Sequence, residues 1–135
     1  MMKFDNKYFT NLKFTKKQIL NNFNNAIKDL EIAKNDVYLD VRFNYSYNAL
    51  IKAGIALLSR YNIKVKSAPG HHIKIIDAIA QILQDETIND IGNVMRSKRN
   101  TDLYDGGIEV TEKECNEYAD SVKSIIEKIK VIINE

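Results

Sequence analysis

Apolar residues recur at three- and four-residue steps through most of this chain, and the stripes they draw predict five helices. The first runs from a Thr15/Gln18 capping box to about Lys34, with Ile19, Phe23, Ala26, Ile27, Leu30 and Ala33 on one face and a wet, Asn- and Lys-rich face opposite. Asp36 is the expected cap of a second helix reaching about Tyr61, whose inner face carries Val37, Val41, Tyr45, Ala49, Ala53, Ala56, Leu57 and Arg60. Gly54 costs that helix about 1 kcal/mol of propensity relative to Ala, so it marks either the crossing of a neighbouring helix or a tolerated glycine. Asn62 suits a left-handed helix end. Pro69 pushes Ala68 toward extended conformations, and a loop is expected over Ile63 to Gly70.

The third helix opens at His71 and His72 and bears the stripe Ile75, Ile76, Ile79, Ile82 and Leu83. A fourth starts around Thr87 and Asp90 and is expected to stop at Gly106-Gly107. The fifth follows a Thr111/Glu114 capping box; its stripe of Cys115, Tyr118, Ala119, Val122, Ile125, Ile126, Ile129, Ile132 and Ile133 fits either the central core helix or a dimer seam. Residues 1–14 have no clear period, although Phe4, Tyr8, Phe9, Leu12 and Phe14 are placed to fold back onto the body. The expected organisation is an N-terminal arm over 1–14 and one all-α domain over 15–135, an up-and-down bundle of about five helices. Its predicted core comprises Phe23, Ile27, Leu30, Leu57, Ile76, Ile79, Ile91, Val122, Ile126 and Ile129.

Composition narrows the function classes. A single Pro and five Gly leave few breakers, which argues against a strand-rich fold with many tight turns. The net charge of +2 is too small for a broad polyanion footprint, so any such site must be local. The lone Cys115 forms no intramolecular disulfide and reads as a buried thiol. The first twenty residues interleave lysines with short apolar pieces and offer neither a signal-peptide core nor a membrane span, so a cytoplasmic protein without membrane association is expected.

The chemistry is crowded into Arg96-Ser97-Lys98-Arg99-Asn100-Thr101-Asp102-Leu103-Tyr104-Asp105-Gly106-Gly107. At 100° per residue, Arg99 and Asp102 fall within about 40° of the stripe drawn by Ile88, Ile91 and Met95. A desolvated lone charge costs several kcal/mol, so this face either pairs the two residues internally or opens onto a pocket. A plainer role for Arg96, Lys98 and Arg99 is to complement the negative end of the helix dipole. His71 and His72 stand 100° apart around a helix, a poor geometry for chelation, and no Cys or carboxylate stands at ligand spacing beside them. Neither metal nor cofactor is expected, and one of the two is suited to hydrogen-bonding the preceding loop.

Four pieces of this order resemble the HEPN superfamily of small helical bundles, in particular its stand-alone prokaryotic members. Asn25-Ala26 and Asp29-Leu30 ahead of Ala33 resemble the family's first helix, and Tyr45-Ser46-Tyr47-Asn48-Ala49-Leu50 with Ala53-Gly54 its second. Gly70-His71-His72 resembles the step into the third, and Arg99-Asn100 resembles the family's Arg-Asn pair, which a His follows four to six residues on. Here Tyr104 occupies the four-residue position. The resemblance implies an RNA-directed or partner-binding module of a toxin–antitoxin or phage-defence system, working as a homodimer and partnered by a cognate nucleotidyltransferase or antitoxin. The alternative it implies is a weak metal-independent endoribonuclease using Arg99, Asn100 and Tyr104. A phenol with an ordinary pKa of about 10 is a poor general base at neutral pH, so Tyr104 is expected to donate or orient while Arg99 balances charge at a phosphate. Arg96, Lys98, Asp102, His71 and His72 complete the candidate binding set.

Overall fold

Two threonines fix where the first and last long helices begin. The N–H of Gln18 donates to Thr15 Oγ1 (3.1 Å) and the Gln18 side chain accepts in return from the Thr15 N–H (2.8 Å); Thr111 and Glu114 repeat the exchange at 3.1 Å in both directions. The computed structural model describes residues 5–105 and 109–135, the side chains of 101–105 excepted. Within them lie helices α1 (Lys16–Asn35), α2 (Leu39–Arg60), α3 (His71–Leu83), α4 (Thr87–Asp105) and α5 (Glu112–Ile133), with short strands β1 (Phe9–Asn11) and β2 (Ile63–Val65). The protein is an all-α helical bundle. The predicted helix stop at Gly106-Gly107 lies outside the described residues.

The helix at the centre is α2, which packs against each of the other four; α5 lies on the flank it shares with α1. Phe43, Tyr47, Leu50, Leu57 and Leu58 are fully buried on one broad face of α2, and Ala49, Ala53, Ala56 and Ser59 are buried beyond it, so burial reaches round most of the helix. A helix covered on nearly every side has no single stripe, which is why its sequence periodicity is weak and the more regular α5 looked more central. Asp36 does not cap α2 as expected. Its N–H closes α1 on Ile32 O (3.0 Å) and its carboxylate accepts from the Tyr38 N–H (2.9 Å), so the residue builds the turn between the helices and α2 starts at Leu39. Val37 and Tyr38 consequently project into solvent, 82% and 68% exposed. At the start of α4, the Asp85 carboxylate takes both the N–H (3.1 Å) and the hydroxyl (2.6 Å) of Thr87.

The arm folds back. β1 pairs antiparallel with β2 in the register Phe9↔Val65, so the expected loop over Ile63 to Gly70 begins as a strand. Alternation explains it: Ile63 turns inward and joins Phe9, Leu58 and Ala78 in a small satellite core, while Lys64 faces water. Of the predicted core, Phe23, Leu30, Leu57, Ile76, Ile79, Val122, Ile126 and Ile129 are buried, and Ile27 and Ile91 sit half-buried at its margin. An ion pair between Asp29 and Lys52 (2.7 Å) ties α1 to α2. No helix among the described residues is long and apolar enough to cross a membrane.

Two glycines set how closely the helices approach. A Cβ at Gly54 would stand 2.5 Å from Ile75 Cγ2 and 2.7 Å from Ile79 Cδ1, so α3 crosses directly over the α2 backbone; a Cβ at Gly92 would stand 2.6 Å from Ile76 Cγ2, so α4 meets α3 as closely. Replacing a mid-helix Gly by Ala ordinarily gains about 1 kcal/mol. Here the new methyl meets a branch carbon that cannot swing away, and overpacking of this kind costs about 1–3 kcal/mol. Gly54→Ala is expected to lower the urea midpoint of unfolding, and an unchanged or raised midpoint would show that α3 can lift off α2 freely.

Candidate functional site

The site starts in the loop after β2. Pro69 biases the residue before it away from helix, Gly70 takes a left-handed conformation (φ 83°) that a side chain would strain, and the chain turns so that Ala68 O accepts both the N–H of His71 (3.0 Å) and its ring Nδ1–H (2.7 Å). A carbonyl can only accept. The bond therefore fixes the His71 tautomer with its proton on Nδ1 and leaves Nε2 as a bare acceptor in the neutral ring.

The contact at Gly92 then dictates what faces these residues. His72 lies one turn before Ile76 on α3, and Arg96 and Asn100 lie one and two turns after Gly92 on α4, so packing Ile76 onto Gly92 aligns the faces that carry them. A cavity of about 410 Å³ opens between the helices, lined by the Ser67–Gly70 loop, His71, His72, Ile73, Arg96 and Asn100. No carboxylate is among its described lining residues. The Arg96 Nε is buried and has no hydrogen-bond partner among the described residues.

Behind the cavity stands Tyr47, fully buried, with its hydroxyl 2.9 Å from His72 Nδ1 and its ring 5.6 Å from the imidazole. The Arg99 guanidinium lies over the Tyr47 ring, 5.4 Å from its centroid. Burial pushes the Tyr47 phenol up to about 12, against the pull of Arg99 and Arg96, so it keeps its proton at neutral pH. Burial, then His71, Arg99 and Arg96, bring His72 down to about 4, so its imidazole is neutral. Two arginines thus surround an uncharged Tyr–His pair.

Five of the sequence candidates come together here: His71, His72, Arg96 and Asn100 at the cavity, and Arg99 one layer behind through Tyr47. Lys98 does not join them. It turns toward α5, where it pairs with Glu114 (3.3 Å); the Thr111 N–H and then Lys98 hold that carboxylate below its ordinary range. Tyr104 and Asp102, and with Asp102 the expected internal pair to Arg99, lie outside the described side chains. The sequence reading missed Tyr47 as a site residue. Its only signal was a phenol on the helix face it shares with Phe43, Leu50 and Ile51, which must find a polar partner when buried. Cys115 is a buried thiol donating to Leu39 O (3.3 Å), with its pKa raised by burial. No group of three or more His, Cys, Asp or Glu among the described residues could hold a metal ion. Compared with protein-family models, curated proteins and solved structures, the chain matches none.

The neutral His72 has a consequence for stability. Below about pH 6.5 the unfolded imidazole takes up a proton that folded His72 refuses until about pH 4, so its contribution is complete above pH 6.5 and is lost as the pH falls through that window. The melting temperature is expected to drop between pH 6.5 and 4.5, before the carboxylates titrate. His72→Asn, which keeps a polar group near Tyr47 but cannot titrate, should flatten that segment; equal slopes for both proteins would contradict the assignment.

Proposed function

We propose that this chain is a HEPN-like, RNA-directed module of a toxin–antitoxin or phage-defence type system, taking a phosphodiester into the cavity between α3 and α4 and acting as a cytoplasmic homodimer. The observation that carries this is the convergence of Arg96, Asn100, His71 and His72 on one cavity without a carboxylate among its described lining residues. A guanidinium offers a planar fork of donors that fits two phosphate oxygens, and Arg96 lines the cavity. Arg99 adds positive field from behind while Tyr47 holds it in place. Ile73 and Val94, 39% and 53% exposed on the two helices that flank the cavity, supply apolar surface that a two-fold partner would cover.

The free Nε2 of His71 favours a second activity, that of a weak metal-independent endoribonuclease. It would take the proton of a ribose 2′-hydroxyl; that oxygen attacks the adjacent phosphorus, the bond to the 5′-oxygen breaks, and the leaving oxygen is protonated from water. Arg96 would balance the charge that builds on the phosphate.

Binding and cleavage of a single-stranded RNA at fixed salt separate the two. Arg96→Lys keeps the charge but loses the fork, and is expected to weaken affinity about ten-fold with the melting temperature nearly unchanged. Arg99→Lys should weaken it less. His71→Asn retains a donor for Ala68 O and removes Nε2, so it should abolish any cleavage while sparing affinity. Tyr104→Phe tests the role the family resemblance gives that residue. Unaltered affinity in both arginine variants would make the cluster structural. Light scattering is expected to give a dimer at tens of micromolar, and a monomer would refute the two-fold assembly.

A further inference from the structure

A second depression, of about 320 Å³, adjoins the first and shares Ser67 and His71 with it. Its remaining walls come from other parts of the fold: Phe14 from the arm, Asn22 from α1, Ile55 from α2, and Ile63, Lys64 and Val65 from β2. We propose that it is a nucleobase subsite, which receives the base of a single-stranded RNA nucleotide whose phosphate occupies the cavity beside Arg96. The inference rests on the phosphate assignment above and adds to it the part of the ligand that carries sequence information.

Three features fit a base. The walls contributed by Phe14, Ile55 and Val65 are apolar and half-buried, and Phe14 is aromatic, the surface on which an unpaired base loses its contact with water. Against them stands Asn22, also half-buried, whose carboxamide makes no hydrogen bond to another described residue. An amide presents two donors and an acceptor, the same groups that a base edge carries in complementary order. Lys64 is exposed at the rim, where its ammonium can meet the next phosphate along the strand. His71 and Ser67 line both depressions, so phosphate and base would share these two residues as neighbours. A base stacked in a duplex cannot reach such a depression, which makes the ligand single-stranded.

Titration calorimetry with ribose 5-phosphate and with the four nucleoside 5′-monophosphates tests this at fixed low salt. At least one nucleotide is expected to bind about ten-fold more tightly than ribose 5-phosphate. Asn22→Ala and Phe14→Leu should shrink that ratio to less than about two-fold while leaving ribose 5-phosphate affinity unchanged, whereas Arg96→Lys should weaken both ligands together. Should Phe14→Leu fail to fold, Asn22→Ala decides alone. Equal affinities for ribose 5-phosphate and every nucleotide, or a preference that survives both substitutions, would overturn the base subsite and leave the phosphate assignment standing. Failure of every ligand to bind, ribose 5-phosphate included, would overturn both.

Discussion

Everything distinctive in this bundle depends on α3 lying directly on the backbones of α2 and α4. Ile75 and Ile79 occupy the space where Gly54 has no side chain, and Ile76 does the same at Gly92. Close packing leaves no slack at such contacts, because displacing a helix by even a methyl group forfeits dispersion along its length. The result is a rigid three-helix joint. The first turn of α3 and the second half of α4 are held face to face across a cavity that neither helix could form alone, with residues from distant parts of the chain converging on it.

The joint also arranges the charges. Placing Tyr47 under Arg99 and against His72 buries a phenol and an imidazole where ionisation is costly, so both stay neutral beside two permanent cations. A carboxylate in their place would pair with an arginine and cancel the field. With none among the described residues at the cavity, the positive potential remains available to an incoming anion, even though the chain as a whole carries a net charge of only +2.

Much of the scaffold could be read from the residues, because capping boxes and stripes are local signals. Thr15 with Gln18, Thr111 with Glu114, and the Ile-rich faces of α3 and α5 need only their neighbours to declare themselves. Asp36 misled because the same carboxylate can cap a helix or build a turn, and the choice is made by how two helices meet. The strand pairing of the arm was hidden for a similar reason, since Phe9 and Val65 are far apart in sequence. At the site, Arg96, Arg99 and Asn100 were recognisable as charges and amides on a helix face. Their relation to His71 and His72 was not, since it is set by the contact at Gly92, and Tyr47 was concealed among the apolar residues that bury it.

The two short strands have a consequence for the order in which the molecule assembles and loosens. Most contacts of a bundle join segments near in sequence and form quickly, whereas β1 must wait until α1 and α2 have brought its partner strand within reach. Held by a pairing of only three residues on each strand, the arm is among the cheapest pieces to release. Since Tyr8 O receives the Lys66 N–H (2.7 Å) at the head of the Ser67–Gly70 loop, undocking the arm would free one wall of the cavity while the five helices stay folded. Residues remote from the arginines thus set how long the site stays in shape.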